Sequence, residues 1–199
     1  MANIIKSVSN IIINNIKKHQ HLYSHNQLIY VCGVMGSGKT TFIQNKLLSQ
    51  HPNLYYSSID NLIPYFTSYH NNSHKLYQLC RQTGIIITDY LLENNISMII
   101  EGTGINMDTV EYLQKLKNQK YNILTYFLKT DLQLCRDRVK QRNQTEIHKV
   151  KDQDIITYYD ILWNNNNEKN MVQQINNISN AIVHIDNYSV ESFEMEAIT

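Results

Sequence analysis

The chain has 199 residues, 42% of them apolar and 18% charged, with a formal net charge of +1. That length holds one domain with a real core, and the near-neutral charge excludes a global attraction to nucleic acid or anionic membrane, so any anion binding is local. Cys32, Cys80 and Cys135 are scattered without a C-x-x-C pair, no leader pattern opens the chain and no apolar run nears the ~20 residues of a membrane span, so a soluble cytoplasmic protein without disulfides or zinc is expected.

Residues 3–21 carry Ile4, Ile5, Val8, Ile11, Ile12 and Ile16 at spacings of three and four, the apolar stripe of a helix. Such a stripe packs on its own domain, on a second copy of the chain or on another partner. Its polar face, with only Lys6, Lys17 and Lys18, is too weakly basic for a membrane surface. His19, His21 and His25 fall where the helix ends, without Cys or carboxylate neighbours, and read as solvated rather than metal-binding.

The apolar run from Leu28 to Cys32 leads into Gly33-Val34-Met35-Gly36-Ser37-Gly38-Lys39-Thr40, followed by a helical pattern. This is the strand–loop–helix setting and the full G-x-x-x-x-G-K-T spacing of a P-loop. Gly33, Gly36, Ser37 and Gly38 fold into a nest of N–H groups aimed at phosphate oxygens. The helix that opens at Thr41 adds its positive end. Lys39 then reaches the β- and γ-phosphates of ATP or GTP, and the Thr40 hydroxyl holds Mg²⁺.

A helix over 41–49 precedes a strand over 54–59, expected beside the P-loop strand and ending at Asp60, which opens a short helix to 66. A long helix over 74–93 is interrupted at Gly84. A strand over 96–100 ends in Glu101-Gly102-Thr103-Gly104, followed by a helix over 108–119, a strand over 121–128 and a helix over 131–142. After a polar stretch come a helix over 153–163, an irregular break, a helix over 168–175 and a strand over 181–185.

Strands alternating with helices specify a three-layer α/β/α fold around a mainly parallel five-stranded sheet. The expected organisation is an amphipathic helix over 1–25, a P-loop kinase domain over 26–189 with a small helical lid at about 136–152, and a loosely held tail over 190–199. Ligands of such sheets sit at the carboxyl ends of the strands. Five of the six glycines, Gly33, Gly36, Gly38, Gly102 and Gly104, fall there.

Around that rim stand the candidate chemical groups. Asp60 can accept a hydroxyl proton, hold a Mg²⁺-bound water or cap the next helix. Glu101 stands where many P-loop proteins keep their Walker-B acid. With two glycines and Thr103 following, it reads preferentially as a substrate ligand, beside Thr103 itself. Arg138 and Arg142 share a helix face, with Arg136, Lys140, His148, Lys149 and Lys151 nearby. Planar guanidinium groups match a transferring phosphoryl group, and a closing lid would supply them.

These segments resemble the zeta toxin family of P-loop kinases over residues 27–188: the P-loop, then Ser58-Ile59-Asp60-Asn61, then Ile99-Ile100-Glu101-Gly102-Thr103-Gly104, then the arginine-bearing lid. The resemblance implies Asp60 as the base, Glu101 as a contact to the sugar part of the substrate and Arg142 as the residue stabilising the transferred phosphate. The implied acceptor is a hydroxyl of a UDP-linked amino sugar. Ile105 stands where the family often has arginine, a second lid arginine has only Lys149 or Lys151 as counterpart, and the amino-terminal helix is additional. Kinase chemistry therefore carries over better than the acceptor's identity.

The expected activity is a Mg²⁺-requiring transfer from ATP or GTP to a hydroxyl of a small molecule, a nucleotide or nucleotide sugar. The rivals are a polynucleotide 5′-kinase, disfavoured because residues 61–69 hold no Lys or Arg, a nucleoside monophosphate kinase, and a non-catalytic nucleotide switch that recruits a partner through the amino-terminal helix.

Overall fold

A computed structural model describes residues 2–145, 149–164 and 170–186, and the backbone of 194–198. The chain enters through α1 (Ala2–His19) and a 3-10 turn (Gln20–Leu22) and passes into β1 (Gln27–Cys32). The P-loop opens into three joined pieces: α2 (Lys39–Phe42), a π-helical turn (Ile43–Leu47) and α3 (Leu48–Gln50). Then come β2 (Tyr55–Ser57), a 3-10 segment (Asp60–Tyr69), α4 (Ser73–Glu93), β3 (Met98–Gly102), α5 (Met107–Asn118) and β4 (Asn122–Lys129). The order ends with α6 (Leu132–Thr145), α7 (Asp152–Trp163), α8 (Met171–Ile178), β5 (Ala181–Asp186) and β6 (Glu194–Ile198).

The many asparagines find a local use. Asn72, Asn106 and Asn170 each accept a backbone N–H with the side-chain oxygen and so start α4, α5 and α8, satisfying donors that a helix leaves open. Gly84 does not interrupt α4. Seven buried positions, from Leu76 to Leu92, anchor that helix, and their burial outweighs the roughly 1 kcal/mol that one glycine costs.

The described strands form one sheet in the order β2-β3-β1-β4-β5-β6. The first five are parallel and β6 runs antiparallel to β5. Two expectations are corrected here. β2 is not the neighbour of the P-loop strand, because β3 lies between them, with Val31 paired to Glu101 and Ser57 to Ile100. The tail is not wholly loose either: residues 194–198 alternate charged and apolar residues through Ala197, a period that suits an edge strand.

One face of the sheet packs Phe42, Ile43 and Leu47 of the P-loop helix against Ile29, Val31 and Ile99. The other face, with Leu28, Tyr30, Met98 and Phe127, is covered by α1, α4, α5 and α8 and reached by Cys135 of α6 and Ile155 of α7. The stripe of α1 is consumed here: Ile5, Val8, Ile12 and Ile16 are buried in the same core as Leu79 and Ile87 of α4. At ~1.5–3 kcal/mol per buried side chain, α1 is an integral part of the domain rather than an appendage. No described helix is long and apolar enough to cross a membrane.

Candidate active site

The P-loop is held in shape by backbone that only glycine tolerates well. Gly36 and Gly38 have φ of 82° and 91°, in the left-handed region. A Cβ at Gly36 would lie 2.4 Å from the Cys135 carbonyl oxygen, so α6 presses directly on the loop. The Ser37 hydroxyl oxygen is buried without a protein partner, and the Ser37 carbonyl accepts from Thr130 at 3.0 Å. Thr41 is exposed on the first turn of the helix.

Lys39 Nζ donates to the carbonyls of Gly33 and Val34, at 2.8 and 2.9 Å. Burial lowers its pKa, the Glu101 carboxylate opposes that shift, and the Arg142 charge adds to it. Glu101 and Arg142 therefore both act on the Lys39 ammonium.

Glu101 is the hub. Its Oε2 accepts the Thr40 hydroxyl at 2.8 Å, and its Oε1 accepts Tyr56 Oη at 2.5 Å and Ser58 Oγ at 3.0 Å. Burial first, and then this bond to Glu101, raise the Tyr56 pKa far above its usual value. One carboxylate oxygen thus meets the Thr40 side of the P-loop, and the other meets Tyr56 and Ser58 at the end of β2. β3 lying beside β1 is the reason. Neither Tyr56 nor Ser58 was singled out as a site residue. The signal was a pair two residues apart at a strand end, facing one side, but its target depends on strand order.

Asp60 lies just beyond β2, at the exposed start of the 3-10 segment. It does not occupy the cap position, which is Ile59, and that position has no side-chain cap bond. Its backbone N–H donates to Ser58 Oγ at 3.3 Å. A hydrogen-bonded series therefore runs from Asp60 through Ser58 and Glu101 to Thr40. The Asp60 charge also helps to raise the pKa of Tyr77 and Cys80 on α4, after burial.

The loop after β3 is packed from below. Gly104 has φ of 70°, and a Cβ at Gly102 would lie 2.6 Å from Tyr30 Oη. Cys32 Sγ donates to the Thr103 carbonyl at 3.5 Å, and burial pushes the Cys32 thiol pKa up to about 12. Ile105 packs against the core, so this position offers no cation.

The arginines of α6 make different contacts. Arg138 Nη1 donates to the Gly36 carbonyl at 3.2 Å, and half-buried Arg142 lies one turn further along α6. Arg136 faces the other way, forming a two-pronged ion pair with Asp152 at 2.7 and 2.8 Å that ties α6 to α7. Lys149 is bonded to the Asn143 carbonyl, and Asn143 exchanges two hydrogen bonds with Val150. His148 and part of the expected lid, 146–148, lie outside the described residues.

Among the described residues no group of three or more His, Cys, Asp or Glu side chains could hold a metal unaided. Mg²⁺ needs less, since it commonly takes one or two protein oxygens and completes its shell with phosphate and water. The Thr40 hydroxyl and Glu101 carboxylate, beside an N–H nest with a buried unsatisfied hydroxyl, fit a Mg²⁺–nucleoside triphosphate.

The family model that matches this chain is the AAA domain, over residues 28–157. No curated protein matches it in sequence. Among solved structures it is similar to one from the PezAT chromosomal toxin–antitoxin system of Streptococcus pneumoniae, with TM-score 0.69, 17% identity, and 98% of this chain and 80% of that one covered. It is also similar to AvrRxo1-ORF1:-ORF2 solved with ATP, with TM-score 0.68, 10% identity, and 99% and 64% covered. A protein of Chloroflexus aurantiacus assigned as a kinase gives TM-score 0.51, 17% identity, and 68% and 78% covered. At these identities the likeness is one of fold, the three-layer P-loop kinase fold expected from the sequence.

Proposed function

The chain belongs to the AAA domain family of P-loop NTPases, and from that premise we propose that it is a Mg²⁺-dependent phosphotransferase, moving the γ-phosphoryl group of ATP or GTP to a hydroxyl of a small molecule. The observation that supports this reading is the series from the Thr40 hydroxyl through Glu101 and Ser58 to the backbone N–H of Asp60, which fixes the position of a residue whose own carboxylate is exposed beside the P-loop's metal side. A bare nucleotide switch has no need of that second carboxylate.

Gly36, Ser37 and Gly38 cradle the phosphates and Lys39 neutralises the β–γ bridge, exchanging its two carbonyl partners for phosphate oxygens. Thr40 and Glu101 are the protein oxygens that would hold Mg²⁺, with Glu101 taking the metal role that the sequence suggested for Asp60. When bound, the ion supplies charge neutralisation across the β- and γ-phosphates. Asp60 accepts the proton of the attacking hydroxyl. Arg138 and Arg142 meet the charge that spreads over the transferring oxygens, and α6, already pressed on Gly36, keeps them over the loop. Thr103 and the Gly102–Gly104 backbone border the acceptor. The resemblance to zeta toxins supports a nucleotide or nucleotide-sugar acceptor.

Incubation with γ-labelled ATP, Mg²⁺ and a panel of acceptors tests this. The panel comprises sugar nucleotides, nucleoside monophosphates, an RNA 5′-end and no acceptor. The account expects label on a small-molecule hydroxyl. Label confined to the RNA end would make the protein a polynucleotide kinase, and label released only as free phosphate would leave a nucleotide switch.

A further inference from the structure

Five glycines serve the two rim loops, and the sixth, Gly84, lies in the middle of α4. A mid-helix glycine weakens its helix relative to alanine, yet packing does not demand one here. A Cβ at Gly84 would meet only Leu62 Cδ1, at 3.7 Å, an ordinary contact. What Gly84 borders is a crevice of about 130 Å³ between α1, β2, the 3-10 segment and α4.

Ile16 and Leu62 give the crevice a buried apolar side. Asn15, Asn61 and Ser58 add amides and a hydroxyl, and Tyr65 adds an aromatic ring. Among the described residues no charged side chain lines it. Ser58 also donates to Glu101, and Asn61 follows Asp60 in sequence, so the crevice abuts the proposed reaction centre.

Resting on the phosphotransferase reading, we infer that this crevice is the subsite for an uncharged, hydrogen-bonding ring of the acceptor, a nucleobase or a sugar, with α1 as one wall. The volume is well below the ~300–1,000 Å³ of a pocket for a whole ligand, and matches one ring rather than an entire nucleotide. Amides offer donors and acceptors together, and a tyrosine ring offers a face for stacking. A phosphate would find no compensating charge there. The charged remainder of an acceptor belongs nearer Arg138 and Arg142. The missing side chain at Gly84 keeps the space open, at a cost in helix stability that function explains.

The test uses the ¹⁵N-labelled full chain with Mg²⁺ and a non-hydrolysable ATP analogue, following the side-chain amide signals of Asn15 and Asn61. Uridine, N-acetylglucosamine and inorganic diphosphate are titrated separately to about 10 mM, above the millimolar affinity of a fragment-sized ligand. The expected result is that uridine or N-acetylglucosamine shifts both signals and diphosphate does not. Gly84→Leu, which fills the crevice, and Asn15→Leu, on the exposed side of α1, weaken that binding roughly tenfold or more while leaving the affinity for the ATP analogue unchanged. The inference is overturned if neither neutral probe shifts the signals, if diphosphate shifts them equally, or if the variants bind the probe as the wild type does. Probe binding without label transfer in the acceptor panel would instead count against the phosphotransferase reading alone.

Discussion

Tyr56→Phe removes one oxygen atom, the donor 2.5 Å from Glu101 Oε1. A hydrogen bond to a charged group contributes ~1.5–3 kcal/mol. Tyr56 is only half-buried, so water can partly replace it, and the lower end, about 1.5 kcal/mol, applies. Glu101 keeps Thr40 and Ser58 but loses part of its orientation, which predicts a fall of about tenfold in kcat/KM. A double-mutant cycle with Glu101→Gln, followed by urea unfolding, isolates the pair. The expected coupling is about 1 kcal/mol. Burial and Glu101 raise the Tyr56 pKa above its usual 10.0, so the coupling is fully present below pH 10.0 and is lost as pH rises through the higher folded value. A cycle at neutral pH that closes additively, within about 0.4 kcal/mol, would refute the reasoning.

Lys39→Ala should abolish the rise in unfolding temperature that Mg-ATP gives the wild type, an effect of about 2.7 kcal/mol at a hundredfold excess over Kd, measured by thermal shift. Gly84→Ala should stabilise the chain by about 0.5–1 kcal/mol, a rise of about 1–4 °C by calorimetry for a domain of this size. Between α6 and α7, Asp152→Asn should increase amide exchange in α7, and high salt should do the same to the wild type, because the Arg136–Asp152 pair is exposed and screened. Hydrogen bonding and charge from Arg136 hold the Asp152 pKa below its usual 3.8. The tie is therefore present above that value and lost as pH falls through the lower folded one.

The fold was legible because its signals are local. The P-loop spacing, the alternation of apolar runs with helical stripes and the clustering of glycines at strand ends each follow from neighbours in sequence. Lys39, Glu101 and Arg142 stand out by residue type and by position after a strand or on a helix face, and Glu101 and Arg142 both act on the Lys39 ammonium. What stayed hidden depends on which strand lies beside which. With β3 rather than β2 next to β1, Glu101 meets Thr40, while Asp60 stands one strand further out. Tyr56 and Ser58 acquire their importance only from that order. Gly84 misled for a related reason, since the packing that carries α4 through it comes from distant segments. Arg136 reads in sequence as one more cation beside Arg138 and Arg142, and only the fold shows that Asp152 of α7 holds it.

The central claim is that one rim of the sheet gathers a triphosphate, a carboxylate and a guanidinium around a single phosphorus atom. The most direct measurement is γ-phosphoryl transfer by the wild type, Asp60→Ala and Arg142→Ala, with ATP affinity determined on the same samples. The account predicts transfer to a hydroxyl acceptor by the wild type, its loss in both variants, and ATP binding nearly unchanged in all three. Near-normal transfer by Asp60→Ala, or label that never leaves the nucleotide except to water in the wild type, would contradict it.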